Sequence, residues 1–154
     1  MKSLARERDQ AEIRARLKRL RPDSERHFGS MSAQQMVCHL ADNFRMALGQ
    51  KAATAPSGPL QRTLIKWLAL YAPLRWPPGN STSPELSQEQ GGGGTPPGDF
   101  ASDLARAEAL FDDVVSPARR LTREPHPFFG PLSDAQWLRW AYLHTDHHLR
   151  QFGV

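Results

Sequence analysis

The sequence predicts an all-α fold: an up-and-down four-helix bundle, with a proline- and glycine-rich insertion and a short extra helix between helices two and three. Four segments repeat apolar residues every three to four positions, which is the spacing of one helix face. No segment alternates apolar and polar residues convincingly, as a half-buried strand would. A chain of 154 residues suits one domain with one core, so residues 1–154 are treated as a single helical domain.

The first two helices are delimited by start and stop residues. Helix-forming residues continue through residues 4–20 until Pro22 ends the run. Helix two is predicted over residues 33–48, because Ser32 stands directly before it and Gln35 follows three positions later. This is the spacing of a capping box, in which the two side chains hydrogen-bond the free backbone amides of the first turn.

The segment between helices two and three is rich in proline and glycine. Residues 60–74 are apolar on most sides, which predicts a short buried helix or a lid that ends at Pro73. Residues 77–99 contain five prolines and six glycines, which argues against any regular element through them. We expect a long loop there that is mobile around Gly91–Gly94.

The last two helices also follow recognisable caps. Asp99 precedes residues 100–115, whose apolar residues keep helical periodicity until Pro117. Ser133 precedes the final helix, predicted over residues 134–152. Together with the first two helices, these segments complete the predicted bundle.

The net charge of +4 is concentrated at the start of the chain. Residues 1–31 carry nine Lys or Arg against five Asp or Glu, whereas residues 32–154 carry eleven of each kind. Acidic residues lie among the arginines of helix one, as on a solvated helix face, and they interrupt the basic stripe that phosphate binding needs. We therefore expect no nucleic-acid partner.

The cysteine content and the hydropathy pattern bear on where the protein works. With one cysteine, Cys38, the chain can form neither an internal disulfide nor a cysteine-based zinc cage, which favours a reducing compartment. The most apolar stretch, residues 64–74, is too short to span a bilayer, and the start of the chain lacks the apolar run of a secretory signal. We expect a cytoplasmic protein without a membrane partner.

Histidine is concentrated in the last helix, which holds three of the six in the chain: His144, His147 and His148. A helix places His144 and His148, four residues apart, on one face with Cβ atoms about 6 Å from each other. One turn and two turns earlier the same face carries Trp140 and Trp137, so it continues the apolar stripe of the helix. Two buried imidazoles in this arrangement can converge on one ion.

The natural third ligand is His39 in helix two. It lies beside the apolar face of that helix, and bundles build metal sites from side chains on facing helices. Three neutral imidazoles would bind a divalent ion and leave positions open for water or substrate, which is typical of catalytic sites. The sequence therefore predicts a divalent metal centre of His39, His144 and His148, with zinc or nickel as the first choices.

Simpler interpretations of single residues stay open. His39 taken alone is more often a satisfied core histidine than a ligand, and spacing does not exclude a pair of His144 with His147. For His147 we prefer a place behind the ligands or at the rim of the site, in company with Asp146. Other neighbours of the site and the remaining histidines have these expected roles: Cys38 as a small buried residue, Asp42 as a residue that orients His39 or faces only solvent, and His27 and His126 as surface or packing residues in loops.

Four segments carry a family resemblance: MSAQQMVCHLAD in helix two, the insertion ending GGTPPGDF, the HPFFGPLS lead into the last helix, and HTDHHLRQFG within it. Together they resemble the DinB-like (DinB/YfiT) metal-binding superfamily over nearly the whole chain. The resemblance implies an up-and-down bundle, often dimeric, in which one histidine of helix two and an H-x-x-x-H pair of the last helix hold a divalent metal. Those positions here are His39, His144 and His148.

The resemblance also implies a chemistry. Characterised members of the superfamily include thiol S-transferases that use bacillithiol, mycothiol or glutathione, and a mycothiol-dependent maleylpyruvate isomerase. It thus implies a small-molecule substrate, with a low-molecular-weight thiol as the candidate, and a homodimer as the candidate assembly. Where that family often has Arg-Gly-Gln after the second histidine, this chain has Leu149, Arg150 and Gln151, so substrate contacts do not transfer.

Three functions are compatible with these observations. The first is a metal-dependent enzyme, similar to a thiol S-transferase or a hydrolase, whose ion activates a thiol or water. The second is a non-catalytic metal-binding or stress-response module, in which the ion only joins helix two to the last helix. The third is a metal-free bundle that acts through its basic first helix.

Overall fold

A computed structural model describes residues 1–54, 58–72, 75–77 and 82–154, and their regular structure is helical. The elements are α1 (Glu7–Leu17), α2 (Ala33–Ala47), a π-helical turn (Gln61–Ile65) that continues into α3 (Lys66–Tyr71), a 3-10 turn (Pro84–Leu86), α4 (Phe100–Val115) and α5 (Asp134–Arg150). Among these residues a single isolated β-bridge joins His126 to Gly130. The predicted all-α class is confirmed.

The helix starts follow the predicted caps. At α2, the Ser32 hydroxyl accepts a hydrogen bond from the Gln35 amide at 3.1 Å, and the Gln35 side chain accepts one from the Ser32 amide at 2.8 Å. Ser133 begins α5 with the same reciprocal pair, and Asp99 caps α4 by accepting from the Ser102 amide at 2.9 Å. These bonds satisfy amides that have no partner within the helix.

Helix α1 is shorter than the predicted 4–20. Residues before Glu7 form a turn, because Asp9 accepts a hydrogen bond from the Ser3 amide at 2.9 Å and thereby holds the chain away from the helical path. The turn also brings the Leu4 amide within 3.1 Å of the Leu138 carbonyl in α5. The start of the chain is therefore attached to the last helix before α1 begins.

The core lies between the four longer helices. α2 packs against α4 and α5, and α1 packs against the same two helices. Phe44 of α2 and Phe111 of α4 meet edge to face with ring centroids 5.8 Å apart. The predicted stripe of α1 is buried as well, since Ile13, Leu17 and Leu20 are at most 1% exposed.

The short helix α3 lies on the surface, which makes the prediction of a buried helix wrong. Within it Leu70 alone is buried, whereas five large apolar side chains of the segment are at least 36% exposed: Leu60, Leu64, Trp67, Leu68 and Tyr71. The helix docks on α5, where Arg139 donates a hydrogen bond to the Leu70 carbonyl at 2.8 Å. This hydrogen bond holds one edge of α3 against α5, and the outer face of α3 stays exposed. The lid alternative stays a prediction, and the predicted stop at Pro73 lies outside the described residues.

The long loop contains more order than predicted. Residues Pro84–Leu86 form a 3-10 turn that begins with proline. Proline has no backbone N–H, and the first position of a helical turn needs none. The Gly93 amide donates to the Pro84 carbonyl at 2.8 Å, and the Gly94 amide donates to the Ser87 carbonyl at 2.9 Å. These bonds hold Leu86 in a buried position. Mobility around Gly91–Gly94 stays a prediction, and residues 78–81 lie outside the described part of the chain.

Asp42 of α2 anchors both ends of the insertion. Its carboxylate accepts hydrogen bonds from the Thr95 amide and hydroxyl, both at 2.7 Å, and pairs with Lys51 at 2.9 Å and Arg45 at 3.0 Å. The carboxylate has no exposed surface. It makes no hydrogen bond to His39, so the expectation that Asp42 orients this histidine is wrong, because four other groups occupy its oxygens.

The described helices include none that is both long enough and apolar enough to cross a membrane.

Candidate metal centre

The three predicted ligands lie together in the core. His39 comes from the middle of α2, and His144 and His148 come from consecutive turns of α5. One nitrogen of each ring can be chosen so that all three lie within 4.8 Å of one another. The ring centroids are 4.6 to 5.2 Å apart. A group of three imidazoles at this spacing could hold a metal ion.

Packing on α5 sets the position of His144. Trp140, one turn earlier on the same face, stacks on the His144 ring with centroids 5.0 Å apart and planes 24° apart. The stacking follows from the i,i+4 spacing that the sequence shows. It directs the His144 ring toward His148, whose centroid lies 4.6 Å away.

A backbone carbonyl orients His39. Its Nδ1 lies 3.0 Å from the carbonyl oxygen of Leu86 in the 3-10 turn. Because a carbonyl only accepts, this contact places the proton on Nδ1 and leaves the lone pair on Nε2. The side-chain nitrogen of Asn43 donates to the His39 carbonyl at 2.7 Å and lies farther from the ring, 3.2 Å from Nε2 and 3.4 Å from Nδ1. The Nε2 lone pair of His39 is therefore left for a metal.

His148 is oriented in the same manner by a side chain. Its Nδ1 lies 3.0 Å from Oε1 of Gln151. The amide of Gln151 is itself fixed, because its Nε2 donates to the Phe28 carbonyl at 2.8 Å. The amide oxygen therefore faces the ring and accepts from Nδ1–H, which leaves the Nε2 lone pair of His148 free.

Burial keeps the cluster uncharged. Desolvation lowers the pKa of His39, and it lowers the pKa values of His144 and His148 well below the usual range for histidine. The neighbouring histidines lower the pKa values of His144 and His148 further, because one protonated ring disfavours a second. Neutral imidazole is the form that binds metal, so the site needs no deprotonation at neutral pH.

His147 lies beside the cluster and is not one of the three. Its ring is 5.2 Å from that of His148 and 5.4 Å from that of Phe28. The ring is buried, and its Nδ1 has no hydrogen-bond partner among the described residues. The predicted association with Asp146 does not form a hydrogen bond, since that carboxylate pairs with Arg16 of α1 and Arg150 of α5.

Cys38 is a buried thiol, as expected. It is 2% exposed, and burial, with the nearby Asp103 carboxylate, raises its pKa to about 12. We expect a chromogenic disulfide reagent at pH 8 to leave the folded protein unmodified while the urea-unfolded chain reacts fully, because the thiolate is the reacting form. Rapid modification of the folded protein would show instead that Cys38 is exposed.

His126 packs in the interior and does not join the cluster. Its Nδ1 accepts hydrogen bonds from the amides of Phe128 and Phe129 at 3.1 and 3.2 Å, and the ring lies against Trp140 with centroids 4.8 Å apart. Burial lowers its pKa to about 3, from the 6.5 of a free histidine. His27, by contrast, is exposed. Both residues have the surface or packing positions that were predicted.

The lowered pKa of His126 predicts acid sensitivity. Between pH 6.5 and 3 the unfolded chain binds a proton at this position that the folded chain does not, so stability falls as the pH falls. From pH 7 to pH 5 we expect a loss of about 2 kcal/mol from this residue. Urea unfolding of the metal-free protein at pH 7 and pH 5 measures the loss of stability. His126→Asn keeps an acceptor but cannot titrate, so its loss between these pH values should be smaller by about 2 kcal/mol.

Three further groups lie beside the site, of which the Leu86 carbonyl and the Gln151 amide were not predicted. The Leu86 carbonyl is a backbone atom of a loop, for which the side-chain pattern carries no signal. Trp76 stands directly before the proline- and glycine-rich residues 77–99, and its ring lies 6.4 Å from those of His144 and His147. Gln151 could have been found from the sequence, because a residue three positions after His148 lies on the same helix face.

The fold and the site define a class: helical proteins with a cluster of three histidines, two of them buried and one half-buried, that two helices supply and that could hold a metal ion. The chain belongs to a family of proteins of unknown function (DUF1569), whose family model matches residues 2–153. Comparison with the curated proteins and with the solved structures found no match in either set.

Proposed function

We propose that this protein is a metal-dependent enzyme of the DinB-like kind, in which His39, His144 and His148 hold a divalent ion that activates a thiol or water. Thiol S-transfer to a small molecule is the favoured reaction. The observation that carries the proposal is the orientation of the rings: hydrogen bonds from Nδ1–H of His39 and His148 place the lone pair of both rings on Nε2, in a cluster that His144 completes. Zinc and nickel both suit imidazole donors.

The donor set fits a reactive centre. Three nitrogens are one fewer than the four ligands of a closed structural zinc site, so a set of three leaves room for a substrate atom. When bound, a divalent ion supplies a Lewis acid that lowers the pKa of a thiol or water. The described cluster is uncharged and contains no carboxylate. Neutral ligands would leave the positive charge of a bound ion uncompensated, so an anionic thiolate is the substrate form that the site favours.

The surrounding side chains would shelter the reaction. Trp76, Trp140 and Phe28 place aromatic rings around the histidines, and such rings exclude water. Burial lowers the pKa of His147, and a backbone hydrogen bond with Trp76 opposes this effect. The buried Nδ1 of His147 has no hydrogen-bond partner among the described residues. By elimination the bond involves Nε2, so Nδ1 offers a lone pair. We infer that this lone pair accepts the proton or a hydrogen bond from the substrate.

The experiment has a metal arm and an activity arm. Protein purified without chelators is analysed for metals, stripped with EDTA and titrated with Zn²⁺ and Ni²⁺. Stoichiometric binding of one ion supports the metal site, and absence of binding to the folded protein would contradict it. A conjugation screen then pairs glutathione, mycothiol and bacillithiol with electrophilic substrates.

The activity arm separates the enzyme from the structural alternative. Turnover that disappears on stripping and returns with the ion supports the enzyme. The alternative has its own observation, because the cluster joins α2 to α5 inside the core. If the ion raises the melting temperature and no thiol or hydrolytic turnover appears in the screen, the ion has the structural role.

A further inference from the structure

Gln151 follows α5 directly and has all of its polar groups engaged. It is 3% exposed. Its side-chain oxygen lies 3.0 Å from Nδ1 of His148, its side-chain nitrogen donates to the Phe28 carbonyl at 2.8 Å, and its own carbonyl accepts from the His27 amide at 2.8 Å. A flipped amide would set oxygen against the Phe28 carbonyl and NH₂ against Nδ1–H. The hydrogen bonds therefore permit one orientation of the side chain.

The segment of residues 27–29 holds Gln151 in that orientation. Gly29 has a φ of +80°, which favours glycine, and a Cβ built there would lie 2.0 Å from Nε2 of Gln151. The backbone thus passes so close to the amide that a side chain at this position would displace it. Two backbone hydrogen bonds and one close approach form a clamp, which we define as residues 27–29.

The clamp determines which nitrogen of His148 carries the proton. With the amide oxygen facing Nδ1, the proton resides on Nδ1 and the lone pair is left on Nε2. Without this acceptor, the ring is free to carry its proton on Nε2, which removes the lone pair that a metal needs. A histidine ligand commonly depends on an outer hydrogen bond of this kind.

We propose that Gln151 is a positioning residue for the metal site, which sets the tautomer of His148 and thereby raises metal affinity, and that the clamp of residues 27–29 keeps Gln151 in place. The proposal rests on the proposed function for the identity of the site. It adds Gln151, which acts on the metal site through His148. It also adds Gly29, because a side chain at that position would displace the Gln151 amide.

The first measurement uses the metal-free protein. Nitrogen-15 NMR of the histidine rings reports which nitrogen carries the proton. We expect the Nδ1–H tautomer for His148 in the wild type and a gain of the Nε2–H tautomer in Gln151→Met, which keeps the length of the side chain but not its acceptor. A wild-type ring protonated on Nε2, or an unchanged tautomer in the variant, overturns the proposal.

The second measurement is the Zn²⁺ dissociation constant by competition with a chromophoric chelator. We expect Gln151→Met to weaken binding by about 10–100-fold. Gln151→Glu, which keeps an acceptor for Nδ1–H, should retain more of the affinity, and Gly29→Ala should weaken binding although it leaves Gln151 itself unchanged. Gln50→Met, at an exposed position, is the control.

The two proposals fail in different ways. If the folded wild type binds no Zn²⁺, the metal site of the proposed function is wrong, whatever the tautomer. If the wild type binds Zn²⁺ and Gln151→Met binds it equally well, the role of Gln151 is wrong and the metal site stands. Should Gln151→Met fail to fold, the comparison of Gly29→Ala and Gln151→Glu with the wild type gives the same decision.

Discussion

Replacement of His39 with alanine is expected to weaken Zn²⁺ binding by more than about 100-fold, beyond the loss that follows removal of an outer hydrogen-bond partner. α2 contributes His39 alone to the cluster, so the variant retains only the two nitrogens of His144 and His148 on α5. Competition with a chromophoric chelator measures the affinity of the stripped protein. Circular dichroism without metal verifies that the helices remain.

Two further variants make this result specific. Gln50→Ala removes an exposed side chain outside the site and should bind Zn²⁺ as the wild type does. His39→Gln fills more of the volume of the imidazole and serves where the alanine variant leaves too large a cavity. Equal affinity in wild type and both His39 variants would place the ion outside the histidine cluster.

Replacement of Asp42 with alanine is expected to lower the free energy of unfolding by about 3 kcal/mol, the lower end of the range for breaking a buried ion pair. The lower end applies because Lys51 and Arg45 are 21% and 25% exposed, so water can solvate them after the change. The two Thr95 donors also lose their acceptor. Urea unfolding of the metal-free protein measures the difference.

An exposed carboxylate provides the control for Asp42. Asp134 pairs with Arg123 at 3.0 Å, but both side chains are at least half exposed. Asp134→Ala should therefore cost less than about 1 kcal/mol. If the two alanine variants were equally stable, the network around Asp42 would contribute no more than a surface pair.

The pH dependence of the Asp42 contribution has a defined sign. Burial alone raises the pKa of this carboxyl, but the hydrogen bonds from Thr95 and the charge of Lys51 outweigh burial and lower it. The stabilisation is complete above the pKa of an unfolded aspartate and is lost as the pH falls through the lowered value in the folded protein. Wild type and Asp42→Ala should thus converge in stability only in strong acid.

The helices and the histidine cluster could be predicted because their determinants are local in the sequence. Capping boxes, helix spacing and proline stops are patterns of a few residues, and they located the starts of α2, α4 and α5 correctly. The i,i+4 spacing of His144 and His148 needed only helix geometry. His39 was found because a bundle brings buried helix faces together.

The features that were missed depend on contacts between distant segments. The apolar pattern of residues 60–74 indicates a helix but not whether another element covers it, and in the structure most of its apolar side chains stay exposed. The Asp42 carboxylate accepts a hydrogen bond from Thr95, which lies more than fifty residues further along the chain. No spacing rule reveals a contact of this kind. The Leu86 carbonyl that orients His39 is likewise a product of loop conformation.

The anchoring at Asp42 also affects how the chain can vary in length. Lys51 and Thr95 meet at one carboxylate, so the residues between them form a closed loop whose ends are held by α2. The entropy of closing such a loop grows slowly, by about 0.6 kcal/mol for each doubling of its length. Insertions and deletions inside it are therefore inexpensive for the bundle, except where the loop is held: at Leu70 on α5, at Trp76 beside the histidines and at Leu86, whose carbonyl must still reach His39.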